Sequence, residues 1–130
     1  MPRPLPPYAE LLGLRNERSP EGELVWVMPF GDAVLGRPGF LHGGAIAGLL
    51  EFAAFGAAYE AVGAGVSVKP VNVKVDFLRG GVDHDTFATG TVIRLGGRVA
   101  NVEARAWQQD RAKPIASARM HFLLRRGEDQ

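Results

Sequence analysis

The 130-residue sequence has no cysteine. That absence removes disulfides, thiolate nucleophiles and cysteine-ligated metal sites together, and it fits a reducing compartment. No sign of charge dominates either. The 15 Lys and Arg residues face 14 Asp and Glu, interspersed along the chain, for a formal net charge of +1. Without a basic stripe the chain is not expected to bind nucleic acid. The opening MPRPLPPYAELLGL has no apolar run long enough for a signal peptide, and no uninterrupted 18-residue apolar stretch follows. The expectation is a cytoplasmic protein that does not enter membranes. GRPGFLHGG has neither GK[ST] nor the G-x-G-x-x-G spacing in a parallel βαβ setting, so it is no nucleotide loop. There is no G-x-S-x-G elbow for a serine nucleophile. His84, in the turn-like DHD, lacks convergent ligands, and His121 falls opposite Met120 and Phe122 at a surface or edge, so no metal is expected.

What is present can build one core. Apolar residues make up 46% and charged residues 22%, the balance of a folded domain, and the length fits a single domain over 1–130. Residues 1–20 read as an N-terminal extension, proline-rich to residue 7, with a short helix over YAELLGL and then polar, turn-like RNERSPEGE. LVWVMPF, Leu24 to Phe30, predicts a strand. An apolar helix is expected from about Leu41 to Val62, ended by GAG at 63–65. Beyond it the period drops to two. Val71, Val73, Val75 and Phe77 alternate with Asn72, Lys74 and Asp76, as in a half-buried strand. FATGTVIRL is a further strand, and GG at 96–97 marks a hairpin. Ala100, Val102, Ala104 and Ala106 share one face of the next strand; Ala116, Ala118, Met120, Phe122 and Leu124 share one face of the last. Trp26 and Trp107 sit on strands as packing residues. RRGEDQ, residues 125–130, reads as a polar tail. One strand, a long helix and four antiparallel strands give an α+β domain. A helix apolar around most of its circumference needs cover on most sides. In so small a chain, a curved antiparallel sheet and a second subunit must provide it.

Two features of that helix are unusual. Its start, LHGG, offers glycines where Ser, Thr, Asp or Asn normally cap the free N–H groups. Without a Cβ at Gly43 or Gly44, either the chain turns sharply and packs tightly, or a ligand oxygen approaches the bare amides as in an oxyanion hole. Glu51, in turn, is the single charge between Ala45 and Ala58. A lone ionised carboxylate is costly to bury. It either reaches solvent at a helix edge, pairs with an arginine across an interface, or serves as a general base or nucleophile. Gly43 and Glu51 are eight positions apart, about 12 Å along a helix axis, whereas a reacting carbon lies about 3 Å from both nucleophile and oxyanion donors. If both act, Gly43 of one chain must meet Glu51 of its twin, with two sites per dimer.

LHGGAIAGLLE, PVNVKVDFLRGG and GRVANVEARAWQQDRAKPIASARMHF resemble a hotdog-fold acyl-CoA thioesterase of the phenylacetate-pathway (PaaI-like) and 4-hydroxybenzoyl-CoA thioesterase superfamily, from about Val25 to Leu124. The H-G-G element with an acid nine positions after its histidine, and F-L-R on the following strand, carry the likeness. The resemblance implies a hotdog fold, an antiparallel sheet wrapped around one long central helix, with sheets joined edge to edge in a homodimer or homotetramer. It implies hydrolysis of an acyl-CoA thioester with no metal or redox cofactor, coenzyme A arriving as part of the substrate. Glu51 matches the catalytic carboxylate, Gly43 the amide that polarises the thioester carbonyl, and His42 the histidine near it; Gly44 completes the element. Three positions depart. Gly36 stands where Asn or Gln is common, Phe52 where Thr sometimes follows the acid, and Phe55 where Ser or Thr often does. The two phenylalanines suggest an apolar acyl pocket. Arg79 and Arg98 are candidates for the CoA phosphates, or else solvated charges at strand ends. The competing expectation is a hotdog module that binds acyl-CoA without cleaving it. A hydratase fits the H-G-G spacing less well.

Overall fold

A computed structural model of the chain describes residues 5–127. In chain order the elements are α1 (Pro7–Leu11), β1 (Arg15–Arg18), β2 (Leu24–Met28), a 3-10 turn (Asp32–Val34), α2 (Gly43–Val62), β3 (Val66–Phe77), β4 (Thr86–Leu95), β5 (Val99–Trp107) and β6 (Ala116–Arg126). The six strands form one antiparallel sheet in the order β1-β2-β4-β5-β6-β3. α2 lies against it, chiefly on β4 and β5, and also touches β2, β3 and β6. This is the expected α+β hotdog architecture.

The sequence periods explain why the sheet takes the helix on one face. Ala100, Val102, Ala104 and Ala106 of β5 and Ala116, Ala118, Met120, Phe122 and Leu124 of β6 are all buried. Their neighbours point the other way, where Glu103 pairs with Arg119 and Arg105. Small residues let the helix come close. A Cβ on Gly90 of β4 would collide with the Ala53 carbonyl oxygen and lie 2.9 Å from the Ala57 Cβ. By length and composition alone α2 would pass as a membrane span. Here Ala45, Ile46, Leu49, Leu50, Ala53, Ala54 and Ala58 are buried within the domain. Gly44, Ala47, Glu51 and Phe55, on successive turns of one side, are covered less. Gly63, with φ 80°, ends the helix in a conformation glycine tolerates.

Several expectations are corrected. RNERSPEGE is not all turn: Arg15 to Arg18 pair with Val27 to Leu24 as an edge strand. All four residues are exposed, so no apolar period announces them. α2 begins at Gly43, two residues after the expected start. β3 begins at Val66, and a bulge between Pro70 and Asn72 accommodates the proline on this edge strand. Its apolar side is covered less than expected, with Val71 60% and Phe77 56% exposed. Arg125 and Arg126, read as tail, are the last residues of β6, opposite Ser67 and Val66. Residues 1–4 and 128–130 lie outside the described residues.

Gly90→Val should therefore push β4 off α2. We expect a loss of about 1–3 kcal/mol, as for other overpacked interiors, read as a lower midpoint in urea titration. An unchanged midpoint would contradict the close approach.

Candidate active site

The loop that leads into α2 is tied down on both sides. Pro38 and Gly39, with φ 81° at the glycine, make a turn in which Phe40 N–H donates to the Arg37 carbonyl at 2.9 Å. Leu35 and Leu41 form an isolated bridge, and His42 N–H donates to the Val34 carbonyl at 2.8 Å. The loop after β3 holds the same segment from the other side, through Leu41 N–H to the Gly81 carbonyl at 3.0 Å. His42 is thereby fixed as the N-cap, with φ −72° and ψ 133°, and its Nδ1 accepts the Gly44 N–H at 2.9 Å. The helix start is therefore capped after all, by histidine. Gly44, expected to share in the oxyanion hole, gives its amide to His42. Its lack of a Cβ is explained too, since a Cβ there would sit 2.9 Å from His42 Nδ1. With Nδ1 accepting, the neutral ring carries its proton on Nε2. The Gly43 N–H has no partner among the described residues. Gly36 packs on the histidine backbone: a Cβ there would come within 3.1 Å of His42 Cα.

Glu51 follows two turns down the helix. It is half-buried and makes no hydrogen bond or ion pair among the described residues. Burial raises its carboxyl pKa above the usual glutamate value. Because α2 is unbroken between them, Gly43 and Glu51 of one subunit stay about 12 Å apart along the axis.

The other expected residues divide. Phe55 stacks on Tyr59, with centroids 5.9 Å apart, and meets the Phe122 ring edge-on at 6.0 Å. It lies one turn beyond Glu51 on the same side. Phe52 instead stacks on Trp26 at 6.0 Å and leans on Tyr8 at 6.3 Å, so it ties α2 to β2 and α1. Arg79 and Arg98 are not brought together. Arg79 follows β3 near the start of α2, its Nε donating to the Pro114 carbonyl at 3.1 Å. Arg98 lies in the β4–β5 hairpin, beside Leu124, toward the end where α2 finishes. β4 alone spans about 30 Å between those ends. His121 Nδ1 lies 2.9 Å from Asn72 Oδ1. Among the described residues no group of three or more His, Asp or Glu converges as a metal site.

Three residues near the site escaped sequence reasoning. Arg37 lies over the Phe40 ring at 4.3 Å; the R-P-G-F turn was its only signal. Phe77, read as one of a strand's apolar row, stands against Gly43. Buried Gln108 clamps the loop before β4, with Nε2 donating to the carbonyls of Val82 at 2.9 Å and His84 at 3.0 Å. Nothing in the sequence marked it.

The thioesterase superfamily matches over residues 38–115. Among solved structures, a Chromobacterium violaceum protein is 38% identical, covering 92% of this chain and 83% of its own, with TM-score 0.77. A mutant thioesterase from Pseudomonas aeruginosa is 28% identical over 90% of this chain and 84% of its own, with TM-score 0.81. A Bacillus halodurans protein solved with CoA is 20% identical over 96% of this chain and 82% of its own, with TM-score 0.87, a likeness of fold. No curated protein matches the chain.

The raised Glu51 pKa makes a prediction for stability. The folded protein holds this proton more tightly than the unfolded chain does. Its stabilising share is whole below the ordinary glutamate range and is lost as pH rises through the raised value. Glu51→Gln should thus gain stability relative to wild type as pH rises from the ordinary glutamate range through the raised value, measured by urea titration at each pH. A difference that stays constant would mean the carboxylate is freely solvated.

Proposed function

Since the chain belongs to the thioesterase superfamily, we propose that it hydrolyses an acyl-CoA thioester to the free acid and CoA, in a site shared by two subunits. One observation carries this reading. A free amide at a helix start and an unpaired, half-buried carboxylate lie on one rigid helix, too far apart to serve one carbon unless two helices meet. An antiparallel twin of α2 brings Gly43 of one subunit to Glu51 of the partner subunit.

The thioester carbonyl oxygen accepts from Gly43 N–H, where the helix start adds partial positive charge. The Nε2–H of His42 is a second donor at the same end. Glu51 of the partner subunit takes a proton from water, and the water oxygen bonds to the carbonyl carbon. Negative charge collects on the carbonyl oxygen opposite the amide. The carbon–sulfur bond then breaks, the acid is released, and the CoA sulfur receives the proton held by Glu51. A carboxyl with a raised pKa is a stronger base for the first step. The chemistry draws on no resident metal or redox cofactor. Arg79 and Arg37, at the same end as Gly43, suit the phosphates of CoA.

Association through β3 supports the shared site. β3 is a sheet edge with unpaired backbone groups and exposed Val71 and Val73. Edge-to-edge pairing would give a homodimer, and two such pairs a homotetramer. One observation favours the second reading, a module that binds acyl-CoA without cleaving it. Gly36 packs against His42 where an amide side chain would otherwise help to hold water.

Thiol-release assays separate the two. Glu51→Ala should lower kcat by orders of magnitude with the oligomer intact. Gly43→Pro replaces the N–H with a ring carbon and sets a Cβ against Phe77 Cζ at 3.4 Å, but keeps the helix start, because proline suits the first helical position and His42 already has the backbone angles that precede a proline. It should cost about 100- to 1000-fold in kcat. Subunits of the two variants, unfolded together and refolded as a mixture, should regain activity, because the mixed dimer holds one intact site. Activity that survives Glu51→Ala would sink the mechanism, and a mixture as dead as its parents would overturn the shared site.

A further inference from the structure

Gly43, whose amide is free, has one side chain close beside its Cα across the fold. A Cβ built on Gly43 would lie 3.4 Å from Phe77 Cζ and 3.6 Å from Cε1, and no other residue outside its own helix and chain neighbours comes within 4 Å. The backbone around Phe77 is held firmly. Phe77 closes the β3–β6 ladder opposite the buried Ala116. The next two amides, Leu78 N–H and Arg79 N–H, both donate to the Ile115 carbonyl, at 2.8 and 3.2 Å. Arg79 Nε adds its bond to Pro114. Yet Phe77 remains 56% exposed. A fixed strand end thus holds out an aromatic ring beside the one amide that the helix start leaves free.

We propose that Phe77 sets how much bulk the substrate carries on the carbon next to its thioester carbonyl. This rests on the thioester reading above. A carbonyl oxygen bound to Gly43 N–H lies about 2.9 Å from the nitrogen. The carbonyl carbon is about 1.2 Å further, and its two substituents are one bond beyond. A ring whose Cζ stands 3.4 Å from the Cβ position of Gly43 is near enough to meet one of them. The phenyl ring has no hydrogen-bonding atom. It suits the hydrocarbon side of the thioester, whereas the CoA arm brings amides that need polar partners. The sulfur side is the same in every acyl-CoA; the acyl side differs. A ring against the acyl side therefore discriminates between substrates and does not merely hold them.

The test compares acetyl-CoA with pivaloyl-CoA, which differ only in methyl groups on that carbon. In Phe77→Ala the ratio of kcat/KM for pivaloyl-CoA to that for acetyl-CoA should rise about ten-fold or more, the size expected when a pocket gains room for a methyl group. Phe77→Leu should fall between, with melting temperature and oligomer size showing that both variants fold. If Phe77→Ala does not fold, Phe77→Leu and Phe77→Met carry the same ratio test. A ratio unchanged from wild type, including an equal loss on both substrates, overturns the proposal. Wild-type protein that releases no CoA from either ester counts against the thioester reading and not against the role of the ring. The same ratio is then read from calorimetric affinities for the two esters, and its constancy across the Phe77 variants would overturn the role of the ring as well.

Discussion

A 20-residue helix with one interior carboxylate in its first 17 positions must be kept from water around most of its circumference, and a single sheet reaches it from one side. Burying its apolar surface, at about 25 cal/mol per Å², is the constraint from which the rest follows. The alanines of β5 and Gly90 of β4 keep the sheet side thin enough for backbone to approach backbone. α1 and the residue after it cover another sector, with Tyr8 and Leu12 so close to Gly48 that a Cβ there would displace them. The stripe through Gly44, Ala47, Glu51 and Phe55 is the side that the sheet and α1 cover less. Glu51 is therefore half-buried and unpaired among the described residues, and burial raises its carboxyl pKa above the usual glutamate value.

Glu23 shows what the same side chain does elsewhere. On the opposite side of the sheet from the helix, Arg111 grips both of its oxygens, at 2.8 and 2.6 Å, and Thr89 donates to one at 3.2 Å. Hydrogen bonds from Arg111 hold the Glu23 carboxyl below the usual range despite some burial, and the guanidinium rests on the Trp107 ring at 4.4 Å. One glutamate is engaged and held ionised, while the other is left unengaged and basic. Their environments separate a glutamate with a structural role from the one for which we propose a chemical role.

The glycines around the helix start also divide, although they look alike in sequence. Gly44 makes room for the capping imidazole, Gly81 for Leu41, and Gly36 for the backbone of His42. Gly43, at the helix start itself, keeps a free amide among the described residues. The loop before α2 and the loop after β3 hold one another through Leu41 and Gly81, so the amide, His42 and Phe77 belong to one braced corner. Such rigidity suits a site that works by placing dipoles where charge develops.

Read alone, the sequence determined the helix, the period-two strands from Val71 onward, the faces of β5 and β6, and the spacing that keeps Gly43 from Glu51. These are local properties: the period of apolar residues fixes which side is buried, and helical rise fixes distance along an axis. Tertiary structure decided the rest. β1 has no apolar face and exists because β2 offers it an edge. His42 caps only where two loops hold its backbone. Phe52 is drawn away by Trp26 and Tyr8, Arg79 and Arg98 fall at opposite ends of the sheet, and Phe77 comes to Gly43 from 34 residues away in the chain. Each of these depends on which distant segment lies alongside, and a one-dimensional pattern does not encode that neighbour.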